Sequence, residues 1–191
     1  LSTEGDLYKE GADKNYFLKN DNGEDYIIYT TDFPVAVLDL SNPNTLTWIK
    51  EIIKKHMLGI GLAGWMADYG EYVPVDAVNH ARKEGECFHN EYPVIFAKIM
   101  HDLLKEEGKL DEIFYFHRSG YIHSSKYIMC YWPGDQLVDW DDKLGIGSVI
   151  SCGISLGLCG IGNYHFDLGG FTTYGPYKRS KELFMRWAEL S

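Results

Sequence analysis

Cysteine is scarce in this sequence, four residues at Cys87, Cys130, Cys152 and Cys159 in a chain of 191, and none shows a CxxC spacing. That excludes a disulfide scaffold or a cysteine-based metal module. Buried thiols are the expectation, because Cys152 and Cys159 lie seven apart in an apolar run, a core-facing helical spacing. Long hydrophobic runs are missing as well: no stretch approaches the roughly 18 apolar residues of a membrane span. Leu1 opens onto Ser-Thr-Glu-Gly-Asp instead of a basic and then apolar leader. Since residue 1 is not Met, an upstream region stays open. Positive charge is in deficit, with 18 basic against 28 acidic residues and a net charge of −10. The Lys and Arg residues are scattered, which argues against a nucleic-acid partner. No glycine-rich phosphate loop follows a strand, and His80, His89, His117 and His123 show no ligand spacing, so no metal site is expected. No Asn-x-Ser/Thr sequon occurs, which decides nothing about compartment.

What is present is 45% apolar residues, enough for one globular unit with a real core. No repeat and no low-complexity linker divides it. The first 30 or so residues, polar around Asn20-Asp21-Asn22-Gly23, read as surface loop with a turn signal. From Pro34 onward short apolar runs alternate with longer amphipathic ones. Val35 to Leu38 reads as a buried strand ending at Asp39. Ser41 or Asn42 is placed to cap a helix from Pro43 to about Leu58. Gly64 to Ala67 ends at Asp68, and a helical stripe from Pro93 to Glu107 stops at Gly108. Ile113 to Phe116 ends at Arg118, Ile128 to Tyr131 ends near Asp135, and the apolar run Leu144 to Leu158 gives way to Gly160-Ile161-Gly162. Strand-helix alternation implies a parallel sheet whose carboxyl ends carry the ligand. Asp39, Asp68, Arg118, Asp135 and Asp167 would then converge on one face. About five strands are fewer than a closed barrel requires, leaving either a small doubly wound sheet or part of a barrel.

Two segments carry the chemistry. In Gly64-Trp65-Met66-Ala67-Asp68-Tyr69-Gly70-Glu71, a strand-end carboxylate is flanked by aromatic rings, with a second acid three residues on. Such an arrangement suits a nucleophile facing a sugar, because the rings stack on the pyranose. The plainer alternative has Asp68 and Glu71 capping the loop and helix that follow. In Tyr131-Trp132-Pro133-Gly134-Asp135-Gln136, an acid again ends a strand beside a Trp. Retaining glycosidases need two carboxyl groups about 5 to 5.5 Å apart, a requirement that two aspartates on non-adjacent strands can meet.

Five motifs in order, Asp39-Leu40-Ser41-Asn42-Pro43, Trp65 to Glu71, Arg118-Ser119-Gly120, Trp132-Pro133-Gly134-Asp135-Gln136 and His165-Phe166-Asp167-Leu168-Gly169-Gly170-Phe171, resemble glycoside hydrolase family 31, most closely its sulfoquinovosidase branch. The similarity spans roughly Tyr26 to Leu190. The resemblance implies a (β/α)8 barrel with Asp68 as nucleophile and Asp135 as general acid/base. Arg118 would contact the nucleophile or a sugar hydroxyl, and Asp167 would grip the non-reducing sugar. Trp132, His165 and Phe171 would line the pocket, with Trp65, Glu71 and Asp39 also in the substrate-binding set. Each has a structural alternative: Arg118 as an ion-pair partner of Asp68 or Asp135, His165 as a satisfied core histidine, Phe171 as plain core. No cofactor is implied. The partner is a carbohydrate substrate.

Asp135 must be held protonated by burial or by the charge of Asp68, while Asp68 stays ionised beside Arg118. Phe171 stands where the sulfoquinovosidase branch has a tyrosine, so a neutral hexoside stays open beside a sulfonated one. Residues 1–191 are therefore expected to be part of a (β/α)8 catalytic domain, about strands 3 to 7, belonging to a larger glycosidase. The expected activity is retaining hydrolysis of a terminal α-linked sugar. A truncated, non-catalytic carbohydrate-binding protein is the rival, and a small doubly wound protein with unrelated chemistry ranks last.

Overall fold

The computed structural model describes residues 1–30 and 33–191, which form two compact units. The first comprises Leu1–Trp65, Tyr69–Phe114 and Ser119–Tyr127; the second comprises Met66–Asp68, Tyr115–Arg118 and Ile128–Ser191.

The first unit opens with helix α1 (Asp6–Asp13), where loop was expected. The helix turns Leu7, Tyr8, Gly11 and Ala12 inward, with Gly11 alone fully buried, a stripe too short to stand out among the flanking charges. A Cβ on Gly11 would lie 2.8 Å from the Phe17 ring, so at that position the helix backbone itself is the packing surface. Phe17 and Leu18 are fully buried, and Trp48 Nε1 donates to Glu10 Oε1 at 2.9 Å. The turn signal is met at Asn20, whose Oδ1 accepts from Asn22 N and Glu24 N. Strands β1 (Ile27–Thr30) and β2 (Phe33–Ala36) pair antiparallel. The strand expected at Val35 to Leu38 is thus shifted toward Phe33, and it belongs to a hairpin, not to a parallel sheet.

Helix α2 (Pro43–His56) starts as anticipated: the Asn42 side chain accepts from Asn44 N, and Pro43 fills a position whose N–H would have no partner. Helix α3 (Gly85–Glu106) begins eight residues before the expected start at Pro93, which lies buried inside it. Burial of Phe88, Tyr92, Ala97, Met100, Leu103 and Leu104 along one face outweighs the hydrogen bond that an interior proline removes. The two helices pack together, with Lys50 bonded to Glu106 at 2.6 Å and Lys54 to Glu107 at 2.7 Å.

A three-stranded sheet runs in the order β3 (Gly64–Ala67), β4 (Phe114–His117), β5 (Cys130–Tyr131). Strands β4 and β5 are parallel, with Phe116 opposite Cys130 and His117 opposite Tyr131. Together with the hairpin this makes five short strands in two sheets, and no closed barrel forms among the described residues. Beyond β3 the chain turns through Tyr69 and Gly70 in left-handed conformations, φ 65° and 105°, and Ser119 Oγ donates to the Tyr69 carbonyl at 2.7 Å.

In the second unit, β5 is extended by a parallel bridge from Tyr131 to Tyr164. Helices α4 (Ile146–Leu158) and α5 (Lys181–Leu190) follow. Ser180 caps α5 by accepting from Leu183 N at 3.1 Å. The core is Val138, Ile146, Val149, Leu183 and Trp187, with Tyr164, Phe166 and Tyr177 against it. Each fully buried side chain of that size contributes about 1.5 to 3 kcal/mol. The expectation of buried thiols holds for Cys130 alone: Cys152 is half-buried, and Cys87 and Cys159 are exposed. The seven-residue spacing misleads because α4 also exposes Ile150, Ile154 and Leu158, so the helix is apolar on its outer face too. Among the described residues no helix is long and apolar enough to cross a membrane.

Candidate active site

Seven of the ten residues singled out in the sequence fall in the second unit: Asp68, Arg118, Trp132, Asp135, His165, Asp167 and Phe171. Asp68 follows directly on β3 and Arg118 directly on β4, which presents both side chains at strand ends. Arg118 Nε lies 3.2 Å from Asp68 Oδ1, both groups mostly withdrawn from solvent. The ion pair foreseen as an alternative for Arg118 is therefore present.

Asp135 lies four residues beyond β5, on a turn that Gln136 ties down: its Nε2 donates to Pro133 O at 3.0 Å, and its carbonyl accepts from Phe171 N and Thr172 N. Partial desolvation raises the Asp135 carboxyl above the ordinary carboxylate range; Arg118 pulls it back down, and the negative charges of Asp68 and Asp167 push it up again. The two aspartates thus sit in contrasting settings, one paired to a guanidinium and the other biased toward its protonated form.

Asp167 Oδ2 accepts from Trp132 Nε1 at 3.1 Å, which fixes the indole against the carboxylate. Trp132 is buried, and Phe116 meets it edge-on with ring centroids 6.2 Å apart. Phe116 also meets His165, with ring centroids 4.4 Å apart at 85°. Burial lowers the basicity of His165, and the charge of Asp167 opposes it. Its Nε2 and the Gln136 Oε1 are buried polar atoms with no hydrogen-bond partner among the described residues, unlike a satisfied core histidine. Phe171 is exposed rather than core.

The other three, Asp39, Trp65 and Glu71, belong to the first unit. Asp39 is buried and bonds Ser41 N and Ser41 Oγ through one oxygen and His80 N through the other, so its carboxylate organises the turn into α2. His117, which the sequence marks only as lacking ligand spacing, is fully buried at the end of β4, and Arg179, with no motif of its own, donates from its guanidinium to the carbonyls of Gly169 and Gly170. A Ser-Lys-Glu start after Arg179, with Leu183 and Trp187 one turn apart, was the available signal for the helix that places it. Among the described residues no group of three His, Cys, Asp or Glu side chains is placed to hold a metal ion.

This chain belongs to glycoside hydrolase family 31: residues 2–191 match the Glycosyl hydrolases family 31 TIM-barrel domain. Among its relatives, the sulfoquinovosidase of Escherichia coli (strain K12) is 43% identical over 191 residues, all of this chain and 28% of the relative. The solved structure of a family 31 sulfoquinovosidase from E. rectale, in complex with an aza-sugar inhibitor, superposes with a TM-score of 0.96 at 44% identity, covering all of this chain and 29% of that one. The cycloalternan-degrading enzyme from Trueperella pyogenes, solved in complex with a covalent intermediate, gives a TM-score of 0.77 at 30% identity, covering 94% of this chain and 24% of that one. The chain spans less than a third of the length of these relatives.

Proposed function

We propose that the protein carrying this chain is a retaining α-glycosidase with Asp68 as nucleophile and Asp135 as general acid/base. The observation that carries the reading is the contrast between the two carboxyls: Asp68 ion-paired to Arg118, and Asp135 raised by desolvation and by the charge of Asp68 and Asp167. A carboxyl raised above its ordinary range beside one paired to a guanidinium suits a division into acid and nucleophile.

Asp68 attacks the anomeric carbon while Asp135 donates its proton to the departing glycosidic oxygen. The bond to the aglycone breaks as the bond to Asp68 forms, giving a β-linked glycosyl-enzyme. Asp135, now ionised, takes a proton from water, whose oxygen attacks the anomeric carbon and releases Asp68. Asp167, Trp132 and His165 hold the sugar, with Phe171 against its apolar face. The covalent intermediate in the T. pyogenes relative supports the two-step course. The sulfoquinovosidase relatives support an α-sulfoquinovoside as the first substrate to test, with α-glucoside as the alternative that Phe171 keeps in view.

The test is hydrolysis of 4-nitrophenyl α-glucoside, α-galactoside, α-xyloside and α-sulfoquinovoside by the full-length protein, beside an Asp68→Ala variant. Expected are turnover of one glycoside, release of the α anomer first by proton NMR, and loss of turnover in the variant. Wild-type rates in Asp68→Ala, or release of the β anomer, would overturn the assignment.

A further inference from the structure

We infer that Arg179 is a positioning residue for Asp167, acting through the backbone of the Gly169-Gly170 turn; this rests on the reading above that Asp167 holds the sugar. Arg179 Nε donates to the Gly169 carbonyl at 3.1 Å, and Nη2 donates to the Gly170 carbonyl at 2.6 Å. Both glycines are left-handed, φ 90° and 76°, conformations open to glycine at no steric cost but held by no regular hydrogen-bond ladder, so contacts from outside the turn decide how well it is fixed.

The support comes from two sides. A Cβ on Gly169 would lie 2.8 Å from Phe184 Cδ2 and 2.9 Å from Arg179 Nε, and one on Gly170 would lie 3.1 Å from the Leu137 carbonyl and 3.2 Å from Val138 Cα. The turn is therefore clasped between the start of α5 and the segment that follows Asp135. It closes on itself through Gly170 N, which donates to Asp167 O at 2.8 Å. Asp167 in turn receives Trp132 Nε1.

What makes Arg179 more than another surface cation is where it is anchored. It immediately precedes Ser180, the cap of α5, and that helix is seated in the core by Leu183 and Trp187. A planar guanidinium on a fixed base presents two parallel donors to two successive carbonyls, which a single ammonium cannot do. The carboxylate that grips the sugar is thus referenced to a rigid helix rather than to a free loop.

The experiment compares the full-length protein with Arg179→Gln and Arg179→Lys by amide hydrogen exchange over residues 165–172, and by KM and kcat on the preferred 4-nitrophenyl α-glycoside. In Arg179→Gln the turn amides should exchange about tenfold faster, and KM should rise about tenfold with kcat changed much less. Arg179→Lys should recover only part of both. Combined with Asp167→Asn, the Gln variant should raise KM no further than Asp167→Asn alone, since both act on one contact. Unchanged exchange over 165–172, or additive effects on KM, would overturn the inference. Faster exchange in Arg179→Gln from a protein that hydrolyses none of the glycosides would remove the sugar role of Asp167 while keeping the clamp on its turn.

Discussion

His117 gives the sharpest acid-stability prediction. It ends β4, is fully buried, meets the Tyr115 ring edge-on at 5.6 Å, and its carbonyl accepts from Trp132 N at 2.9 Å. Burial pushes its imidazole down from 6.5 to about 4. Between those values the unfolded chain carries a proton on this ring and the folded chain does not. The neutral ring's contribution is therefore fully present above pH 6.5 and is lost as pH falls toward 4. The difference corresponds to about 3 kcal/mol. Urea unfolding of the full-length protein from pH 7 to pH 4.5, wild type beside His117→Gln, isolates this group from the carboxylates common to both. Wild type should lose about 2 to 3 kcal/mol more than the variant across that range. Curves that fall in parallel would refute the buried neutral imidazole.

Two further outcomes follow from the site and its flanks. Asp167→Asn removes a negative charge that helps hold the proton on Asp135, so the alkaline limb of kcat/KM should move to lower pH; a limb that stays put or moves upward contradicts the coupling. Gly70→Ala should lower the unfolding free energy by about 2 kcal/mol, seen as a lower urea midpoint, because the left-handed φ disfavours a side chain and a Cβ there would collide with Ser119 Oγ and crowd Phe96. An unchanged midpoint would show that the turn after Asp68 is not held as described.

Much of this arrangement is legible in the chain itself where a local rule and a tertiary demand agree. Asn42 and Pro43 announce α2 because capping chemistry is local. The runs ending at Asp68 and Arg118 read as strands because short apolar stretches bounded by charge have few alternatives. Where the two diverge, the sequence misleads. Pro93 reads as a helix start, yet burial of its neighbours carries α3 through it. Helix α1 hides because its inward stripe of Leu7, Tyr8, Gly11 and Ala12 is short, set among charges and centred on a glycine. Val35 and Ala36 look like a parallel strand because nothing local reports which edge the chain will meet. Cys159 looks buried because periodicity reports a face, not what covers it. In the site, residue types were readable and so was the choice of acids that Arg118 could meet, though not which of Asp68 and Asp135 it would pair with; the Arg179 clamp depends on two carbonyls that carry no sequence signature.

The loop after β5 and the loop after Tyr164 are stitched to each other by Phe171 N and Thr172 N on the Gln136 carbonyl, by Val138 N on the Thr172 carbonyl, and by Trp132 on Asp167. They behave as one cassette carrying both Asp135, the proposed proton donor, and Asp167, the proposed sugar grip. Redesign of specificity would therefore have to transplant 131–138, 164–172 and Arg179 together, since exchanging either loop alone would leave the other reading from a frame that no longer exists.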